Sequence, residues 1–143
     1  MSDLEVGQIL WMKIRFNNNG DVSTKKHPYI VLNIDDSYNT VEIAQLDSLE
    51  GKEHKALFKS NKVIYNDDPV ETVISKDSYV QLDNSFTLEH FDTITDYRYT
   101  ADKLSSEKLN DVINAYNEYH RKHIIDEMKD VYMDMCEIEN LNN

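Results

Sequence analysis

The chain has 143 residues, 29% charged and 40% hydrophobic, and a formal net charge of −12, proportions that suit one folded domain with a real core. Three Gly and two Pro argue against a low-complexity chain, and the single Cys136 allows neither an internal disulfide nor a cysteine zinc cluster. No apolar run approaches the ~18 residues of a membrane span, the start MSDLEVGQIL lacks the basic region of a signal peptide, and the acidic balance opposes non-specific binding to a phosphate backbone. A cytoplasmic protein is therefore expected.

Residues 8–16, QILWMKIRF, read as a half-buried strand, with Lys13 and Arg15 on one face and Met12, Ile14 and Phe16 on the other. The polar NNNGD at 17–21 marks a turn. The basic stretch STKKHP then leads into PYIVLNI, whose continuous apolar run suggests a strand buried on both faces. The turn DDSYN and a third strand, TVEIAQL at 40–46, complete an antiparallel hairpin. A polar loop follows at 47–55, then short strands around 56–65, a loop or single helical turn near 70–76, and a strand at 77–82. Residues 83–98 suit a strand and a short helix.

From Ser105 or Ser106 onward the pattern changes. Apolar residues at 109, 112, 113, 116, 119, 124, 128, 131, 132, 135 and 138 recur at helical spacing with no Gly or Pro between them. This predicts a long amphipathic helix, bent or broken in two. The division expected is a single domain, 1–143, made of a β body over 1–98 and a helical C-terminal extension over 99–143.

Charge is distributed unevenly. Residues 13–27 carry Lys13, Arg15, Lys25 and Lys26 against Asp21, and residues 52–62 carry Lys52, Lys55, Lys59 and Lys62 against Glu53, a net of +3 each. Two basic islands in an acidic chain point to one anion-attracting face, with Lys25, Lys26 and His27 at the mouth of a strand. A charged loop that merely precedes a strand is the plainer reading. His120 and His123, in HRKH, read as a solvated helix face, since spacing of three without a carboxylate pattern is weak metal evidence. Trp11 reads as core or dimer interface, and Met128, Met133 and Met135 as helix packing. No metal or organic cofactor is indicated.

The blocks GQILWMKIRF, KKHPYIVL, TVEIAQLDS and KDSYVQLDNSFTL, in this order over about residues 5–95, resemble the MazF/PemK-like toxins of type II toxin–antitoxin pairs. The resemblance implies a small SH3-like antiparallel β-barrel, mainly β with α, here followed by the long C-terminal helix. It also implies metal-independent endoribonuclease activity on single-stranded RNA, a homodimer and an antitoxin partner, with neither membrane nor double-stranded DNA involved. The family's catalytic Arg before Pro corresponds to His27. Its catalytic Thr corresponds to Ser48, or to Asp47 if the alignment slips by one, and its later Arg falls near Phe86.

RNA cleavage without metal needs a base for the 2′-hydroxyl, an acid for the leaving 5′-oxygen and a cation for the phosphorus oxygens. On this reading His27 and His54 supply acid and base, and Ser48 bonds a phosphate oxygen. Lys25, Lys26, Arg15, Lys52 and Lys55 hold the substrate. The acidic segment 126–143, net −5, would shield that basic face. The altered family positions and the acidic balance keep open a non-catalytic protein-binding module on the same fold, toxin-like or regulatory, acting through a protein partner.

Overall fold

A computed structural model describes residues 2–143. Seven strands form one sheet: β1 (Ile9–Met12), β2 (His27–Asp35), β3 (Thr40–Ser48), β4 (Asn61–Ile64), β5 (Ser78–Gln81), β6 (Ser85–Glu89) and β7 (Asp130–Met133). Two α-helices follow the early strands, α1 (Ser106–Lys122) and α2 (Met135–Asn142). The strand order is β1-β2-β3-β5-β4, with β6 also on β3 and β7 on β6.

The nine-residue β3 organises the sheet. One edge pairs with β2. The other pairs with β6 through Thr40–Ile43 and with β5 through Leu46–Ser48. The β2–β3 hairpin is turned by Asp35, whose Oδ1 accepts the amides of Ser37 and Tyr38, and by Asn39 at φ 56°, a left-handed position that Asn tolerates.

Side-chain alternation sends successive residues to opposite faces, and each face has its own core. Leu10, Met12, Tyr29, Val31, Val41, Ile43, Phe86 and Leu88 build one, covered by Ile94 of the 3-10 helix Asp92–Tyr97 and by Val131, Met133 and Ile138. Ile9, Ile30, Leu32, Ala44, Leu46, Val80 and Leu82 build the other, covered by Val73, Ile74, Leu104 and the α1 residues Val112 and Tyr116. The two-sided burial explains why YIVL in β2 is uniformly apolar. A register shift between Val31 and Asn33 gives Leu32 to the second core and returns Ile34 to the first. The segment before β1 passes so close to α1 that a Cβ on Gly7 would lie 2.9 Å from Leu109 Cδ2, and Gly7 also has φ +95°.

Two expectations need correction. The sheet is open rather than a closed barrel, because β1 and β4 end the strand path unpaired with each other. The outer edge of β1 is met instead by residues 98–99, through a Leu10–Arg98 bridge and the Tyr99 amide on the Ile9 carbonyl at 2.9 Å. The C-terminal third is not one long helix. α1 stops at Lys122, with His123 extended, and Ile124, one residue of the apparent stripe, is fully exposed. Val131 and Met133 point into the core while Asp130 and Tyr132 point out, a period of two that overlays the helical spacing of 128, 131, 132 and 135. β6 offered a free edge, and β7 joins it in parallel. Asp134 then caps α2 by accepting the Glu137 amide. The segment 126–143 is therefore part of the sheet and the core, and not a detachable acidic shield.

The strand expected over 8–16 is shorter, ending at Met12. Ile14 is still buried, while Phe16 and Trp11 are exposed. No helix among the described residues is long and apolar enough to cross a membrane.

Candidate functional site

His27 is the first residue of β2 and pairs with Met12 of β1. The β2–β3 register, Tyr29 opposite Gln45, carried two residues back puts His27 level with Asp47. Asp47 in turn pairs with Tyr79 of β5. One row across the end of the sheet therefore aligns an imidazole, a carboxylate and a phenol on one face.

The Asp47 carboxylate is the hub. Its Oδ2 accepts from Lys52 Nζ at 2.8 Å and from the Tyr79 hydroxyl at 3.3 Å, and its Oδ1 accepts from the Ser48 amide at 2.8 Å. Burial alone would raise its pKa, but the donations from Lys52, Ser48 and Tyr79 outweigh burial and hold it below the ordinary carboxylate value. His27 is pushed below its ordinary 6.5, by burial first and then by Lys25, with Asp47 pulling it up and Lys52 down. At neutral pH the site thus holds a neutral imidazole, an ionised carboxylate and lysine ammonium groups within electrostatic reach of one another. Lys25 and Lys26 are exposed.

Of the other expected site residues, Ser48 adjoins Asp47 through its amide, while His54, Lys55 and Arg15 have partners of their own. The Ser48 hydroxyl accepts the Glu50 amide at 3.1 Å, closing a local turn. His54 is exposed on the 3-10 helix Glu53–Leu57, with its ring against Phe58 at 6.0 Å, and among the described residues no hydrogen bond or ring contact joins it to His27. Lys55 lies over the same Phe58 ring, 5.3 Å from its centroid. Arg15 is engaged within the protein. Its guanidinium donates to Glu137 at 2.7 and 3.3 Å, to the Tyr132 carbonyl at 2.7 Å, to Asn18 Oδ1 at 2.8 Å and to the Asn17 carbonyl at 3.2 Å. It is a clamp that ties the 17–18 loop to the segment around β7 and α2.

At the same sheet end lies a groove of about 310 Å³, bordered by Trp11, Pro28, Leu46, Ile74 and Tyr99 and reaching Asp47 and Ser48. Trp11 and Tyr99 are 42% and 63% exposed, and their rings sit 6.3 Å apart. Sequence reasoning missed Tyr79 and Tyr99, because their roles depend on strand register and on the segment that caps β1. Among the described residues no group of His, Cys, Asp and Glu is arranged to hold a metal ion. No protein-family model matches the chain, and no curated protein matches it at a significant level.

Proposed function

We propose that the chain is a metal-independent endoribonuclease acting on single-stranded RNA, in the manner of the MazF/PemK-like toxins that its strand blocks resemble. The observation that carries the reading is His27, held neutral at the open end of β2 between Lys25, Lys52 and the ionised Asp47. A neutral imidazole is the form that accepts a proton. In the proposed step His27 takes the proton of a 2′-hydroxyl and the 2′-oxygen bonds to phosphorus. The bond to the 5′-oxygen breaks, and that oxygen takes a proton from solvent, leaving a 2′,3′-cyclic phosphate and a 5′-hydroxyl end. Lys25 and Lys26 face the phosphate charge. Lys52 stays with Asp47 and tunes His27. Proton transfer of this kind supplies about 10²–10⁴-fold, so a site with one acid–base group is expected to be slow.

A second reading is a non-catalytic module that binds a protein partner. It is favoured by the position of His54, which leaves no second imidazole beside His27. The two readings separate on incubating mixed-sequence single-stranded RNA with the protein in EDTA and analysing the new ends. Cyclic phosphate ends support cleavage, and intact RNA supports the binding module. A homodimer and an antitoxin partner accompany the first reading.

A further inference from the structure

A second basic groove, of about 280 Å³, lies between β4 and the last turns of α1. Lys59, Lys62, Lys122 and His123 line it against a single acid, Glu118. Lys122 is tied to Glu118 at 2.7 Å. Lys59 and Lys62 make no side-chain hydrogen bond or ion pair among the described residues. In a chain with 27 acids for 15 Lys and Arg, partners were abundant, so unpaired cations gathered on one groove call for an external anion. The α1 C-terminus does attract cations, but its dipole amounts to about half a negative charge, which is too little to account for this cluster.

The groove also holds a flat aromatic pair. Tyr119 and His123, one turn apart, stack at 4.1 Å with 17° between their planes, and His123 is exposed. Aromatic surfaces beside cations are the combination that holds single-stranded nucleic acid, with bases on the rings and phosphates on the lysines. Along the chain, the connection from β3 to β4 runs from the His27 site to this groove, passing around the β4 edge from the Tyr29 face of the sheet to the α1 face. It starts with Lys52 on Asp47, carries Lys55 and Lys59 along with Glu50, which is paired to Lys76, and Glu53, and delivers Lys62 on β4.

We propose that the β4–α1 groove is the distal end of a single-stranded RNA track that begins at His27 and follows the β3–β4 connection. This rests on the RNA reading of the His27 site and extends it. Lys59, Lys62 and His123 then set how long a strand the protein grips, without touching the scissile phosphate.

The test is fluorescence anisotropy in EDTA with 2′-O-methyl RNA, which cannot be cleaved through its 2′-oxygen, in lengths of about 4 and about 12 nucleotides. The wild type is expected to bind the longer strand at least ~10-fold more tightly. Lys59→Ala/Lys62→Ala should remove most of that gain and lower the slope of log K against log salt by about 1.4, at about 0.7 per phosphate contact, while leaving the short strand unchanged. His123→Ala should weaken the long strand alone, by about fivefold or more. Circular dichroism checks the fold of each variant. Equal wild-type affinity for both lengths, or a double variant that weakens both equally, overturns the track and leaves the His27 reading standing. Failure of the wild type to bind either length overturns that reading, and the track with it.

Discussion

Arg15 and Lys25 belong to the same basic island of the sequence, yet the fold treats them in opposite ways. Arg15 meets Glu137, the Tyr132 carbonyl and the 17–18 loop, and its donors are satisfied inside the protein. Lys25 is exposed at the mouth of β2, where its charge helps to lower the pKa of His27. The difference lies in what the distant C-terminal segment brings. β7 and α2 carry a carboxylate and a carbonyl to one cation and nothing to the other. Charge alone does not mark a binding residue. A cation that the fold leaves unpaired is the better indicator.

The largest effect expected on this contrast comes from the Arg15 side. Met133 is fully buried in the core that β7 completes, and Met133→Ala should cost about 2–5 kcal/mol, read from the urea midpoint. Arg15→Ala leaves Glu137 and the Tyr132 carbonyl without their donor. Since both ionic side chains are partly exposed, the expected cost is about 1–2 kcal/mol. An unchanged midpoint would mean that the clamp is dispensable.

On the His27 side the expected effects fall on pH dependence. Burial and Lys25 hold the folded-state pKa of His27 below 6.5, so the unfolded chain takes up the proton first as pH falls. The stability that neutral His27 contributes is present above 6.5 and is lost as pH falls through that value toward the lowered one. Asp47 behaves as a depressed carboxylate. Its contribution is present above 3.8 and is lost as pH falls through its lower folded value. The acid limb of cleavage should therefore lie below 6.5. Lys25→Met should shift it upward and Asp47→Asn downward, and a limb that stays fixed in both would remove His27 as the titrating group. The smallest effect is on stability at this end. Lys25→Ala/Lys26→Ala should change the urea midpoint by less than about 0.5 kcal/mol while weakening RNA binding, where Arg15→Ala should not weaken it.

The strands were legible where local pattern decides them. The β2–β3 hairpin follows from YIVL, the Asp35 turn and the alternation in TVEIAQL, and the turn role of Ser48 is the ordinary one for its type. The C-terminal third was not legible, because residues 128–135 satisfy helical and strand periods at once. Only the free edge of β6 decides between them. Closure of the sheet is likewise a matter of where β1 and β4 end, which no local pattern encodes. At the site, His27, Lys25 and Lys52 stand out as cations in an acidic chain. Tyr79 does not, since its place opposite Asp47 is a consequence of register. Arg15 had the right composition and the wrong surroundings.

The most direct measurement is single-turnover cleavage of a mixed-sequence single-stranded RNA at neutral pH in EDTA, comparing the wild type with His27→Ala at matched circular dichroism. The account predicts metal-independent cleavage by the wild type and a loss of about 10²-fold or more in the variant. Cleavage that survives the substitution, or a wild type that binds RNA without cutting it, would contradict His27 as the catalytic residue.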